Sequence, residues 1–436
     1  MDANEKAKKN VEKLFSFIDK SPTAFHAVAT VKEELDSAGF TELCESRPWK
    51  IEPEKGYYIS RNGSSMIAFR TGKSKPDETG FRIAGAHTDS PLLKIKQGSA
   101  NFSGGVLRLT TEVYGGPVLH SWIDRDLSIA GKVMVKKNGK YEAVLMNMKK
   151  PVAFIPGLAI HLNREVNKGF EYNRQDHLQA VLSIKKDKES EKDADEQFRK
   201  IIAREIGVKS SEIGSYDLFL YDVQPGTFTG IDEELFSVRC IDNLSMCHVL
   251  THALIKNPPA DAMQIAVFYD NEEIGSKTPM GADSSFLRDI LDRITAVTCD
   301  KPDSYHTAIA RSFMVSADGA HALHPNFTGK HDPAFAPKLN KGPVIKLSAM
   351  FKYATTAETS AYFEKLCTEA DVPFQRLANR SDTRSGSTIG PIASSQLGIK
   401  AIDVGNSMWA MHSVRETAGV MDHTLMMKVI SNFFKN

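Results

Sequence analysis

The sequence lacks any marked excess of charge. Its 55 lysine and arginine residues balance 54 aspartate and glutamate residues, which leaves a formal net charge of +1. Proteins that hold nucleic acid or an anionic membrane by electrostatic attraction usually carry a basic excess. The composition therefore argues against both of these partners.

Long apolar segments are absent as well. No run reaches the roughly 18 apolar residues that a membrane-spanning helix needs. The N-terminal stretch MDANEKAKKN is charged and is not followed by the apolar core of a secretory signal. We expect a protein that does not span a membrane and that works in the cytoplasm.

Cysteine is scarce and scattered. The five cysteines include no CxxC pair, and an odd number leaves one without a partner. This pattern argues against a disulfide framework or a cysteine-type zinc site and favours reduced thiols. Cys247 lies in an apolar stretch, where a cysteine is expected to act as a small buried hydrophobe.

What is present is typical of a globular enzyme-sized chain. The 436 residues are 41% hydrophobic and 25% charged, and this length predicts about two or three domains. Residues 5 to 38 have the periodicity of two helices, and Arg61-Asn62-Gly63 predicts a hairpin turn between two short strands. A buried strand at 81 to 86 leads directly into His87.

The middle of the chain has a different pattern of predicted secondary structure. Residues 93 to 236 contain β-rich segments and a second hairpin signal at Asn138-Gly139, with few helical periods. In the segment 185 to 200, 12 of 16 residues are charged with mixed sign, which is typical of a solvated helix face or loop. We interpret residues 93 to 236 as an inserted β-rich domain.

After Arg239 strands and helices alternate, which predicts an α/β fold with a mixed, largely parallel sheet covered by helices. The elements before residue 92 need partners, so we assign residues 1 to 92 and 237 to 436 to one domain. The predicted elements are a helix at 242 to 255, a strand at 264 to 269, a helix at 285 to 294, a strand at 313 to 316, a helix near 360 to 370, a strand at 400 to 404 and a helix from Leu425.

Ionisable residues stand at the ends of the predicted strands, where ligands of open α/β sheets bind. They are His87 and Asp89, Glu272 and Glu273, Asp318, His412, and Asp242 at a strand-to-helix junction. Two histidines with at least three carboxylates suit a pair of divalent metal ions, because one shared carboxylate can bridge both cations.

Two of these motifs also suggest a division of roles. His-x-Asp on a strand places both side chains on one face, where the aspartate can fix the imidazole tautomer. The pair Glu272-Glu273 offers one carboxylate for metal and one for proton transfer. Each motif alone more often belongs to a satisfied histidine or a solvated loop, and their joint placement at strand ends is what favours a metal centre.

Six sequence blocks resemble the aspartyl aminopeptidase family of dinuclear zinc exopeptidases. They are AHTDSP at 86 to 91, IDNL at 241 to 244, YDNEEIGS at 269 to 276, SADGAHALHPN at 316 to 326, GPVIK at 342 to 346 and MHSVRE at 411 to 416. Two departures are Gly319, where a larger residue is common, and the loop at 381 to 386, which follows the family only loosely.

The resemblance implies two zinc ions, with His87 and Asp318 on one, Glu273 and His412 on the other, and Asp242 between them. Glu272 would be the general base and Asp89 an orienting carboxylate, and His161, His321 and Lys346 would bind substrate. His161 lies in a segment of the inserted domain that would enter the neighbouring subunit's site. The inserted domain would mediate dimerisation within a tetrahedral dodecamer.

The expected function is therefore a metalloaminopeptidase that removes N-terminal residues from peptides, with Lys346 favouring an acidic first residue. The alternatives are a preference for neutral or apolar first residues, a deacylase of N-acyl amino acids, and an inactive scaffold. For Lys346 itself, the alternative is a lysine that ends a strand in solvent. Ligand loss would mark a scaffold, and every expected position is filled.

Overall fold

The computed structural model describes residues 2–186, 193–383 and 386–436. The chain forms two compact units. The first comprises Met1–Asp89, Gly226–Met411 and Glu416–Asn436, and the second comprises Ser90–Pro225 and His412–Arg415. Among the described residues, no helix is both long and apolar enough to cross a membrane.

Ten α-helices occur in the described part of the chain. They are α1 (Ala3–Lys20), α2 (Ala24–Ser37), α3 (Pro76–Thr79), α4 (Ala194–Ile206), α5 (Ile241–Lys256), α6 (Phe286–Thr298), α7 (Ser304–Ala310), α8 (Ala357–Glu369), α9 (Ile389–Leu397) and α10 (Val420–Lys435).

Twenty β-strands are assigned in the same described ranges. They are β1 (Thr41–Glu42), β2 (Gly56–Arg61), β3 (Ser65–Arg70), β4 (Phe81–His87), β5 (Leu92–Ser103), β6 (Val106–Tyr114), β7 (Leu127–Lys137), β8 (Lys140–Asn147), β9 (Ala180–Ile184), β10 (Ile213–Asp222), β11 (Thr227–Thr229), β12 (Leu235–Val238), β13 (Met263–Tyr269), β14 (Phe313–Ala317), β15 (Ala320–His321), β16 (Val344–Leu347), β17 (Gln375–Ala378), β18 (Lys400–Gly405), β19 (Ser407–Trp409) and β20 (Glu416–Gly419).

The first unit is built on a nine-stranded sheet with the order β1-β2-β3-β13-β4-β14-β18-β16-β17. Its centre is parallel, because β4 pairs in parallel with β13 and β14, and β14 with β18. The β3–β13 and β16–β18 pairs are antiparallel. The predicted mixed, largely parallel α/β sheet is confirmed.

Helices cover both faces of this sheet. Side chains of α1, α2, α5, α8 and α10 share one core with Ala84 of β4, whereas α6, α7 and α9 share the other with Ile83. Neighbouring residues of a strand point to opposite faces, so β4 contributes to both cores. All seven residues of β13 are buried, as expected of a strand covered on both sides.

A smaller five-stranded sheet also belongs to the first unit, with the order β11-β12-β20-β19-β15. The second unit contains a six-stranded antiparallel sheet, β8-β7-β10-β5-β6-β9, and the helix α4. Most of the highly charged segment 185 to 200 precedes α4, and its residues 187–192 lie outside the described residues.

One predicted helix start was wrong. The terminal helix begins at Val420, five residues before the predicted Leu425. The sequence pattern missed this first turn because the polar residues Asp422 and His423 are buried there and interrupt the apolar period. The helix predicted at 242 to 255 agrees with α5 to within one residue, although Asp242 and Asn243 have non-helical backbone angles.

Three histidines of the first unit lie together in the helical layer. His248 Nδ1 lies 2.9 Å from His423 Nε2, and the rings of His248 and His252 are 6.4 Å apart. Burial lowers the pKa of His248 well below its usual value. It also lowers the pKa of His252 to about 4 and that of His423 to about 3. All three are therefore neutral in the folded protein near pH 7.

We expect this cluster to make the fold acid-sensitive. Below about pH 6.5 the unfolded chain binds protons that the folded cluster refuses, so stability is fully present above that pH and falls as the pH drops toward the folded pKa. The glutamine of His423→Gln cannot titrate, so this variant should reduce the slope of the free energy of unfolding against pH by about 1.4 kcal/mol per pH unit.

The measurement is chemical unfolding between pH 4.5 and 7.5 with a chelator present. His306→Gln, at an exposed histidine of α7, is the matched control and should keep the wild-type slope. An unchanged slope in His423→Gln would show that the cluster does not titrate in this way.

Candidate metal centre

The predicted site residues of the first unit follow the carboxyl ends of three neighbouring strands. His87 ends β4, Glu272 and Glu273 follow β13, and Asp318 follows β14. Because these strands are parallel and adjacent, their carboxyl ends lie at one edge of the sheet, where open α/β sheets bind ligands.

His87 is the centre of this group and is 1% exposed. Its Nδ1 lies 3.0 Å from the main-chain oxygen of Asp89, and a carbonyl oxygen can only accept, so Nδ1 donates. In the neutral ring this leaves Nε2 unprotonated. Nε2 lies 3.4 Å from Asp242 Oδ1 and 3.6 Å from Asp318 Oδ1, the arrangement of a histidine prepared to bind a metal.

Asp89 contacts His87 through both its main chain and its carboxylate. The strand ends at His87, and the main-chain oxygen of Asp89 makes the shorter contact, while its carboxylate Oδ1 lies 3.4 Å from Nδ1. The carboxylate also accepts the backbone N–H groups of Glu272 at 3.2 Å and Glu273 at 3.1 Å. One aspartate thus holds both the imidazole and the glutamate pair.

Asp242 lies in the non-helical first turn of α5 and is 3% exposed. Its backbone N–H donates to Glu416 Oε2 at 2.9 Å. The next residue, Asn243, donates from its side-chain amide to the main-chain oxygen of Ala317 at 2.9 Å. Side chains thus tie this turn to β20 and to the end of β14.

Asp318 is held on both of its carboxylate oxygens. Oδ1 accepts a hydrogen bond from the N–H of Gly319 at 2.6 Å, and Oδ2 accepts one from Lys346 Nζ at 3.1 Å. Lys346 is 3% exposed, so the alternative in which this lysine ends a strand in solvent is wrong. Its ammonium also lies 5.5 Å from the centre of the Tyr353 ring.

The site concentrates negative charge in a buried place. Burial raises the pKa of Glu272 to about 8. The charge of His87 opposes this rise, and the carboxylates of Asp318, Asp89 and Asp242 add to it. Burial alone would lower the pKa of His87, but the hydrogen bonds that its ring donates to the carboxylates of Asp242, Asp318 and Asp89 outweigh burial and leave that pKa well above its usual value. Such a cluster requires positive charge to balance it.

The donor set fits divalent cations. In the first unit, two sets of three ligand atoms each lie within 4.8 Å of one another, from His87, Asp242 and Asp318 and from His87, Glu272 and Glu273. Imidazole nitrogen and carboxylate oxygen are ligands of zinc. The structure therefore brings together four of the five predicted ligands, together with the predicted base Glu272.

His412, the fifth predicted ligand, belongs to the short segment that clusters with the second unit. It has a positive φ of 67°. Its Nδ1 lies 3.1 Å from the main-chain oxygen of Gly116, so Nδ1 donates and Nε2 is left for another partner.

The remaining predicted substrate residues are exposed. His321 lies in β15 of the first unit, and His161 lies in a loop of the second unit. Around His161, the side chains of Leu158, Ile160 and Leu162 are 60%, 48% and 75% exposed. Part of the loop at 381 to 386, at 384–385, lies outside the described residues.

Sequence reasoning missed the residues that hold the ligands in place. Glu416 and Asn243 lie in blocks that carry the family resemblance, but their partners are distant in sequence. Both contacts are made to backbone groups. Since almost every residue has these groups, no particular partner residue type can be recognised in the sequence. A glutamate 1% exposed in a short strand is recognisable only once the strand pairing is known.

Comparisons with known proteins match this chain to a family of zinc metalloproteases. The family described as aminopeptidase I zinc metalloprotease (M18) matches residues 17–434. An M18 family aminopeptidase 2 of Clostridium novyi is 44% identical over 429 residues, which cover 98% of each chain.

Two solved structures are similar over almost the whole chain. Ape4, in a complex with Nbr1, has a TM-score of 0.96 with 35% identity and covers 99% of this chain and 86% of its own. The mApe1 dodecamer of S. cerevisiae has a TM-score of 0.85 with 30% identity, covering 98% and 96%. By the extent of the family match and the identity to its relatives, this chain belongs to the M18 family of zinc metalloaminopeptidases.

Proposed function

We propose that this aminopeptidase holds two divalent cations, with zinc the expected metal. His87 and Asp318 hold one, Glu273 and His412 hold the other, and Asp242 bridges the two. The observation that carries the proposal is the buried His87 Nε2, which faces the carboxylates of Asp242 and Asp318 at 3.4 and 3.6 Å.

When bound, such cations supply a water of lowered pKa and polarise the scissile carbonyl. Glu272 then acts as general base: its carboxylate takes a proton from the attacking water and gives it to the leaving amine. Its backbone N–H is held by Asp89, so the carboxylate starts from a fixed main chain. Exclusion of water by the buried neighbours strengthens these electrostatic interactions.

An aminopeptidase also has to recognise a free α-amine. The carboxylate-rich edge suits an ammonium group, since opposite charges attract strongly where solvent is scarce. For the first side chain we propose a preference for aspartate and glutamate, through the Lys346 ammonium with its raised pKa. Burial opposes that rise, and the interactions with Asp318, Tyr353 and Asp403 together outweigh it.

We further propose a homo-oligomer, a dodecamer built from dimers, in which residues 93 to 236 mediate dimerisation. The exposed apolar side chains beside His161 support this, because contiguous exposed apolar groups are typical of interaction surfaces. In this assembly His161 completes a neighbouring subunit's site. Five free cysteines are in keeping with a cytoplasmic location.

The decisive experiment is Glu272→Gln. The amide keeps the shape of the side chain but cannot take a proton, so kcat should fall by about 10² to 10⁴ while the metal content stays at the wild-type value. Activity is measured on a panel of aminoacyl substrates, and metal by elemental analysis. Glu12→Gln, at an exposed glutamate of α1, is the matched control.

A near wild-type rate in Glu272→Gln would remove this residue from the mechanism. The same panel should include N-acetylated aminoacyl substrates. Cleavage of these in preference to free-amine substrates would replace the aminopeptidase proposal by a deacylase.

The acidic preference is tested with Lys346→Leu. Without the ammonium, kcat/KM for Asp and Glu substrates should fall about tenfold more than for Leu and Ala substrates, because only acidic side chains lose an opposite charge. Metal content is measured in parallel, since Lys346 also binds Asp318.

Lys341→Leu, at an exposed lysine just before β16, is the control. An equal fall for all substrates, or a wild-type preference for Leu over Glu, would exclude the acidic pocket.

The role of His161 is tested by subunit mixing. His161→Phe should lower activity about tenfold or more, and mixed assemblies with Glu272→Gln subunits should regain activity, because some sites would then combine an intact base with an intact partner histidine. His306→Phe serves as the exposed-histidine control. Verified mixed assemblies without any rescue would show that each site is self-contained.

A further inference from the structure

The hydrogen bonds of helix α5 do little to position the proposed ligand Asp242. It lies in the first turn of α5, where backbone N–H groups have no intrahelical acceptor. Its angles, φ −80° and ψ 106°, are not helical, and neither are those of Asn243. The regular hydrogen bonds of α5 therefore do not determine where the Asp242 side chain points.

Glu416 supplies the missing acceptor. Its Oε2 accepts the Asp242 N–H at 2.9 Å, and the two residues are 1% and 3% exposed. A buried hydrogen bond to a carboxylate is stronger than one between neutral groups. It is also costly to lose, because an unpaired buried N–H retains its full desolvation penalty.

The small sheet brings Glu416 to this place. Strand β20 pairs antiparallel with β12, and Glu416 is directly opposite Val238. Val238 ends β12, four residues before Asp242. The register of this strand pair thus fixes where the chain segment that leads to Asp242 begins. It also fixes the position of the Glu416 carboxylate, which accepts the Asp242 N–H.

A ligand role for Glu416 itself does not fit the geometry. Among the described residues, the groups of ligand atoms that converge do not include Glu416. Its carboxylate accepts the backbone N–H of the proposed ligand Asp242. This is how a residue acts on a metal through another residue.

We propose that Glu416 is a positioning residue whose carboxylate fixes the main chain of Asp242, so that the Asp242 carboxylate faces His87 Nε2 and can bridge two cations. This inference rests on the proposed function, since it assumes that Asp242 is a metal ligand. On the other side of the turn, Asn243 holds Ala317 at the end of β14. The turn is therefore fixed from two directions.

The test compares three variants at residue 416 by zinc affinity, titrated against a competing chelating dye. Glu416→Ala removes the acceptor, and loss of such an outer partner typically weakens metal binding by about 10- to 100-fold. Glu416→Gln keeps an oxygen at the same reach and should stay within about threefold of wild type. Glu416→Asp keeps the charge, but its carboxylate is shorter by one CH₂ group, and it should lose affinity as Glu416→Ala does.

Stability is measured separately on the metal-free proteins by thermal unfolding. Asp222→Asn is the matched control: Asp222 is a buried carboxylate of the second unit that is paired with Arg125. It should lower the unfolding temperature without changing zinc affinity. If Glu416→Ala does not fold, the comparison of Glu416→Gln with Glu416→Asp decides alone.

Asp242→Asn separates the two proposals. If it leaves zinc binding intact, the ligand assignment fails. If Asp242→Asn loses zinc while Glu416→Ala and Glu416→Asp bind as wild type, the role of Glu416 is overturned. Loss of affinity in Glu416→Gln together with wild-type affinity in Glu416→Asp would also overturn it, because charge rather than reach would then decide.

Discussion

The constraint on which the first unit depends is the gathering of carboxylates around one buried imidazole. Asp242 and Asp318 face His87 Nε2, and a carboxylate oxygen of Glu272 and one of Glu273 lie within 4.8 Å of a nitrogen of the same ring. Without a cation, charges of one sign at such distances repel strongly in a medium of low dielectric constant. The fold has to hold these groups together before any metal stabilises them.

It does so mainly through the main chain. Asp89 accepts two backbone N–H groups of the glutamate pair, and Glu416 accepts that of Asp242. Fixing the backbone fixes the point from which each of these side chains reaches toward the centre. Preorganisation of this kind moves the cost of bringing like charges together from metal binding to folding.

Much of the architecture could be predicted because local sequence patterns determine it. The β2–β3 hairpin follows from an Asn-Gly turn, and the parallel strands follow from short apolar runs that alternate with helices. The proposed ligands His87, Glu273 and Asp318 were predicted from their place after such runs. The start of α10 was not, since Asp422 and His423 are buried by partners far away in sequence, namely the loop before β16 and His248 of α5. Glu416 escaped for the same reason, because its role depends on a strand register between segments about 180 residues apart.

Lys346 shows how such long-range contacts couple two properties that sequence reasoning treats separately. Family resemblance points to this lysine for substrate selection, while the structure places its ammonium on Asp318, a proposed ligand. A single positive charge therefore balances part of the carboxylate cluster. If the Lys346 ammonium also binds an acidic substrate, the Asp318 carboxylate and the substrate carboxylate share one positive charge. Each carboxylate then weakens the attraction of the ammonium to the other. Selectivity for the first residue and affinity for metal are then linked by electrostatics, so a substitution that changes one is expected to change the other.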